Sequence, residues 1–135
     1  MKYKKLIIHT DGGARNNPGP AGIGAIIYDE QKNIVKEISE YIGEATNNQA
    51  EYRACLRAME EAKKLGAQEL EFYLDSELVV EQLNRRYKVK NKELAPLFMK
   101  IYNMSQEFKK VAFKHVRREF NKEADALVNK AIDNR

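Results

Sequence analysis

Cysteine is nearly absent from this 135-residue chain, with Cys55 standing alone. A single thiol excludes an internal disulfide and any cysteine-rich zinc site, and it leads us to expect a reducing, cytoplasmic setting. Long apolar runs are missing as well. No window holds 18 consecutive apolar residues, so no membrane span is expected. After Met1-Lys2-Tyr3-Lys4-Lys5 only Leu6, Ile7 and Ile8 follow before polar residues return, too short a run for a secretory leader. Two of the three prolines sit between Ala14 and Ala21 with Asn16, Asn17 and Gly19, where they predict a loop. Acids are missing from segment 84–92, which carries Arg85, Arg86, Lys88, Lys90 and Lys92. Segment 109–122 has Glu119 alone against Lys109, Lys110, Lys114, Arg117, Arg118 and Lys122. Together the two stretches hold eleven of the 24 basic residues of a chain with net charge +4. Such stretches read either as solvated loops or as surfaces that track phosphates.

What is present suits one domain over residues 1–135, and a monomer is expected. Hydrophobic residues make up 43% and charged residues of both signs 33%, enough for one core and too mixed for disorder. Alternation and turn residues predict strands at 3–10, 22–29 and 34–42, joined by short turns into an antiparallel meander. A helix follows over 51–65, with an apolar stripe of Tyr52, Cys55, Leu56, Met59, Ala62 and Leu65 and a stop at Gly66. Further strands are expected at 70–74 and 111–116. Helices are expected at 77–83, around 94–108 with Pro96 in the first turn, and after Asn121 as its cap. The order β-β-β-α-β-α-α-β-α describes an α/β domain with a mixed sheet.

Four of the 20 acids occupy element ends rather than exposed faces. Asp11 ends the first strand before two glycines, and Asp75 ends the fourth. Glu51 opens the long helix on its apolar stripe, and Asp125 lies in the first turn of the last helix. Singly, each has a structural explanation: acids favour helix N-termini, and Asp-Gly favours turns. As a group they stand where α/β folds bind ligands, at strand ends. Clustered carboxylates repel unless cations hold them, and hard oxygen ligands select Mg²⁺ or Mn²⁺. Two such ions can serve phosphodiester hydrolysis.

The stretch from Asp11 to Gly22, Asp-Gly-Gly-Ala-Arg-Asn-Asn-Pro-Gly-Pro-Ala-Gly, resembles the opening signature of type 1 ribonuclease H. Thr46-Asn47-Asn48-Gln49-Ala50-Glu51 is similar to that family's second block, Asp75-Ser76 to its third, and Asn121-Lys122-Glu123-Ala124-Asp125 to its fourth. The blocks keep the family's order over nearly the whole chain. The resemblance implies a ribonuclease H-like fold, with a five-stranded mixed sheet whose strands 1–3 are antiparallel, flanked by helices. It implies hydrolysis of the RNA strand of an RNA–DNA hybrid, leaving 5′-phosphate and 3′-hydroxyl ends, with two Mg²⁺ ions and Mn²⁺ as a substitute. Asp11, Glu51, Asp75 and Asp125 would hold the metal, Asn17, Asn47 and Asn48 would contact the minor groove, and Thr46 would lie near a DNA phosphate.

The chain departs from the family pattern twice. The basic handle that many bacterial members carry is replaced by segment 84–92, where Arg85, Arg86 and Lys88 are candidates to contact the substrate. The family's loop histidine is also missing from Val116-Arg117-Arg118-Glu119-Phe120-Asn121. Arg118, Arg117 or His115 is then expected to serve the scissile phosphate, with Arg118 favoured for its nearness to Asp125. His9, inside the first strand, reads as structural. Alternatives remain open: a nuclease that also cuts double-stranded RNA, a non-catalytic hybrid-binding module, or a phosphotransferase of the actin-like fold, for which the chain is too short.

Overall fold

A computed structural model describes residues 3–135, so Met1 and Lys2, the start of the segment read above for a leader, lie outside the described residues. Strand β1 spans Tyr3–Ala14, β2 Gly19–Tyr28 and β3 Ile34–Ala45. Helix α1 spans Asn47–Lys64, β4 Ala67–Leu74, α2 Glu77–Leu83, α3 Ala95–Ser105, β5 Lys110–His115 and α4 Lys122–Asp133, with a 3₁₀ turn at Arg118–Phe120. The sheet order is β3-β2-β1-β4-β5. β1–β2 and β2–β3 pair antiparallel, whereas β1–β4 and β4–β5 pair parallel. This is the mixed five-stranded α/β sheet expected.

Alternation along the strands sends Leu6 and Ile8 of β1 and Leu70, Phe72 and Leu74 of β4 to one face, where all five are buried. Helix α1 closes that face with Tyr52, Cys55, Met59 and Ala62. The opposite face receives α4, whose Ala124, Val128, Ala131 and Ile132 are buried. Burying a large apolar side chain stabilises by about 1.5–3 kcal/mol, so these two seams hold the sheet between its helices. No helix among the described residues is long and apolar enough to cross a membrane.

Several boundaries differ from expectation. The loop placed between Ala14 and Ala21 is only residues 15–18, because Ala14 pairs with Ala21 and the Arg15 amide donates to the Pro20 carbonyl at 2.9 Å. β3 continues past Ile42 to Ala45, carried by its pairing with Gly19. Helix α1 begins at Asn47, four residues before Glu51. Thr46 Oγ1 accepts from the Gln49 amide at 3.1 Å, and Gln49 Oε1 accepts from the Thr46 amide at 2.8 Å, a capping box. Helix α3 stops at Ser105, so Phe108 is buried from the following turn rather than from the helix. Asn121 precedes α4, yet its side chain makes no cap bond.

Candidate active site

The two glycines after Asp11 explain how the acids come together. A Cβ at Gly12 would lie 2.3 Å from the Ala50 carbonyl carbon and oxygen and 2.6 Å from the Glu51 nitrogen. Only a bare backbone lets the first turn of α1 press against β1 this closely, and that contact sets Glu51 beside Asp11. On the other face, a Cβ at Gly24 would lie 2.4 Å from the Ala124 carbonyl oxygen, so α4 rests directly on β2 and brings Asp125 to the same end of the sheet. Asp75 follows the last residue of β4, the parallel neighbour of β1.

Carboxylate oxygens of Asp11, Glu51 and Asp75 lie within 4.8 Å of one another. Asp125 stands outside that trio, exposed on the rim of the same cavity of about 410 Å³. Asp11 is 7% exposed and Glu51 6%. Burial, then the charges of Asp75 and Asp125, push the Asp11 carboxyl up to about 8. Burial, then Asp11 and Asp75, hold Glu51 well above the ordinary carboxylate range. Glu51 Oε1 is buried with no hydrogen-bond donor among the described residues. A buried carboxylate oxygen without a donor, inside a set of acids that repel each other, suits a hard divalent cation as its partner.

This arrangement predicts a pH-dependent stability. The Asp11 proton is lost near pH 4 in the unfolded chain and kept to about 8 in the folded one. Unfolding in that window therefore releases a proton, and without cations stability falls as pH rises, by up to ~1.4 kcal/mol per pH unit for one such group. Mg²⁺ or Mn²⁺ should raise the melting temperature, and more at pH 8 than at pH 5, where protons compete. Thermal melts across this range check both slopes; a melting temperature indifferent to Mn²⁺ at pH 8 would count against a cation site.

The asparagines sit beside the acids. Asn17 Oδ1 accepts from the Asn47 amide at 2.9 Å, and Asn47 Oδ1 accepts from the Ala14 amide at 2.8 Å. The two residues thus lock the β1–β2 loop to the start of α1, with each oxygen used and each NH₂ left without a partner among the described residues. Asn47 and Asn48 line the cavity, and Thr46 lies one residue before them as the helix cap. Arg15 joins the same wall, paired with Asp133 of α4 at 2.5 Å, a position that sequence reading did not single out.

Of the three candidates for the loop, Arg118 is the one brought to the acids. It lines the cavity and its charge acts on Glu51. Arg117 is exposed and pairs with Glu119 at 3.4 Å. His115 is exposed on β5 and does not line the cavity. The linker residues are not brought to the acids. Arg86 is held in a two-bonded pair with Glu81, both bonds 2.7 Å. Arg85 has a left-handed backbone, φ 63°, and its guanidinium lies 5.4 Å over the Tyr102 ring. Lys88 is exposed and makes no ion pair among the described residues. The two basic stretches do meet, since Arg85, Lys109 and Lys110 line a second cavity of about 310 Å³. Lys110 sits opposite Glu69 and His115 opposite Leu74. At about 3.3 Å per residue this cavity lies roughly 17 Å from the acid end of the sheet.

A family profile described as reverse transcriptase-like matches residues 9–131. Among curated proteins, the bifunctional protein Rv2228c of Mycobacterium tuberculosis is 42% identical over 130 residues. That match covers 96% of this chain and 36% of the relative, so the chain spans about a third of that protein's length. Among solved structures, LC11-RNase H1 isolated from compost is 50% identical with a TM-score of 0.91, covering 97% of each chain. LC11-RNase H1 in complex with an RNA/DNA hybrid gives 0.90, covering 96% of this chain and 97% of that one. TM-scores this high over nearly the full length of both chains place them in the same fold as this chain.

Proposed function

Since the chain belongs to the type 1 ribonuclease H family, we propose that it is a metal-dependent endoribonuclease that hydrolyses the RNA strand of RNA–DNA hybrids. The observation that carries this reading is the trio Asp11, Glu51 and Asp75 within 4.8 Å, with one buried oxygen lacking any donor. A module that only bound nucleic acid would gain nothing from concentrated negative charge facing phosphates. The hybrid complex of LC11-RNase H1 supports the substrate class.

Asp11, Glu51 and Asp75 would hold the cation, with Asp125 completing the set for a pair of Mg²⁺ or Mn²⁺ ions. When bound, such ions lower the pKa of water and stabilise the leaving oxygen. The chain's own groups do the rest. Asn17, Asn47 and Asn48 direct their NH₂ groups toward acceptors in the minor groove, where 2′-hydroxyls distinguish RNA from DNA. The Thr46 hydroxyl hydrogen and the Asn48 amide suit a phosphate of the DNA strand, the Asn47 and Gln49 amides being already taken. Lys88, Lys90 and Lys92 of the linker make no ion pair among the described residues, and Arg85 with Lys109 and Lys110 gives the surface its basic end. Arg86 adds little, because Glu81 already takes its guanidinium.

We assign Arg118 to the scissile phosphate. A guanidinium fork meets two phosphate oxygens, whereas an ammonium is a point charge. Arg118→Ala should lower turnover about 100-fold with KM within about threefold, a loss of roughly 2.7 kcal/mol of transition-state stabilisation. Arg118→Lys should recover part of it, while Arg117→Ala and His115→Ala stay near the parent. Steady-state cleavage of a uniform hybrid in Mg²⁺ decides this, and a large turnover loss in His115→Ala with Arg118→Ala near the parent would reverse the assignment. The same assay run on double-stranded RNA, double-stranded DNA and with EDTA tests the function itself.

A further inference from the structure

Asn121 opens the fourth sequence block and was expected to cap α4. Its side chain turns inward instead. The residue is 1% exposed. Its Nδ2 donates to the Thr10 carbonyl at 2.9 Å and to Asp75 Oδ2 at 3.0 Å. Its Oδ1 lies 3.1 Å from His9 Nδ1. Its backbone carbonyl accepts from the Asp125 amide at 3.1 Å. One residue therefore touches the carbonyl preceding Asp11, the carboxylate of Asp75 and the backbone of Asp125.

Asp75 needs such a partner. The β1–β4 pairing ends at His9 and Tyr73, and the β4–β5 pairing at Leu74 and His115. Asp75 lies one residue beyond the ladder, where the chain turns into Ser76, the cap of α2. No backbone hydrogen bond among the described residues ties it to a neighbouring strand. Asn121 supplies the missing tie across the ends of β1 and β4, and it occupies one carboxylate oxygen while the remaining lone pairs stay open to a cation.

The amide also has only one workable orientation. Thr10 O and Asp75 Oδ2 are both acceptors, so both Nδ2 hydrogens are committed and Oδ1 must face His9. The His9 ring therefore carries its hydrogen on Nδ1. Were the ring to present a bare Nδ1, the amide would flip and set its oxygen against two acceptors. The ring is itself fixed, stacked on Tyr73 with centroids 5.0 Å apart and edge-on to Tyr28 at 6.0 Å.

We propose that Asn121 is the positioning residue of the acidic centre, fixing Asp75 as a cation ligand, and that His9 sets the direction in which its amide points. The proposal rests on the cation-dependent reading of the site. Its test separates the two by titrating Mn²⁺ alone into the full chain, without nucleic acid, alongside hybrid cleavage. Asn121→Leu keeps the branching at Cγ, in a somewhat larger side chain, and removes the donors. His9→Phe keeps the ring on Tyr73 and removes Nδ1. Calorimetry should show the Mn²⁺ midpoint raised about tenfold in Asn121→Leu and about threefold in His9→Phe. The double variant should be no weaker than Asn121→Leu alone, because His9 acts only through Asn121. Turnover should fall in the same order with KM nearly constant, and excess Mn²⁺ should restore part of it. A folded Asn121→Leu with the parent's midpoint overturns the proposal, and independent, multiplying effects of the two substitutions overturn the role of His9. If Asn121→Leu does not fold, His9→Phe decides: a raised midpoint supports the relay and an unchanged one overturns it. Normal Mn²⁺ binding by a parent that leaves hybrids intact would fail the nuclease reading while leaving this one standing.

Discussion

Asp75→Asn is expected to leave a folded protein that still binds an RNA–DNA hybrid and cuts it at least ~1,000-fold more slowly, about 4 kcal/mol of lost transition-state stabilisation. The substitution keeps volume and removes one of the three charges that converge within 4.8 Å. Asp11→Asn should be equally inactive and also more stable than the parent when cations are withheld. Asp11 is held up to about 8, by burial first and then by Asp75 and Asp125, so ionising it costs the fold free energy that an amide does not. The expected gain grows with pH, by up to ~1.4 kcal/mol per unit between about 4 and 8, and vanishes only below about pH 4, where the folded and the unfolded parent are both protonated. Inactivity coupled to higher melting temperature is the signature of a site whose ligands oppose the fold. Full activity in both variants, measured against the parent in Mg²⁺ and in Mn²⁺, would refute the four-acid reading.

The second large effect is expected from a methyl group. In Gly12→Ala the new Cβ meets the Ala50 carbonyl at 2.3 Å, and these are backbone atoms that no rotamer change can move. Helix α1 must back away from β1, carrying Glu51 with it. We expect about 3 kcal/mol of destabilisation, a melting temperature lower by roughly 10 °C, and turnover reduced ~100-fold in the fraction that stays folded. Gly13→Ala is the control. Its Cβ would meet Val128 Cγ1 at 3.8 Å and Asn47 Oδ1 at 3.9 Å, ordinary contacts, so stability and turnover should barely change. Equal effects at both positions would mean that close packing at Gly12 does not place the acids.

The acids were legible because their positions break a rule. Glu51 stands on the apolar stripe of α1 and Asp11 inside a buried strand end, places where a lone charge is costly. The meander, the α1 stripe and the span of α2 were legible from periodicity alone. Contacts between distant segments were not. Periodicity cannot show that Glu81 claims Arg86, or that Arg118 rather than Arg117 turns toward Asp11 and Glu51, since both choices fit a polar loop. Asn121 looked like a cap because asparagine before a helix usually is one. Its three tertiary partners, His9, Thr10 and Asp75, lie 46 to 112 residues away in sequence. The extension of β1 and β2 into the Pro-rich loop escaped notice because the Ala14–Ala21 pairing is made by small residues with no strand signature.

The seating of α4 on Gly24 has a consequence in time. Asp11, Glu51 and Asp75 leave a ribosome well before Asp125, and at about 5–20 residues per second the interval between Asp75 and Asp125 lasts seconds. Throughout it the growing chain holds three carboxylates but neither Asn121 nor the helix that carries the fourth acid. The acidic centre is therefore completed only when α4 docks on β2, seconds after its other three acids have been made.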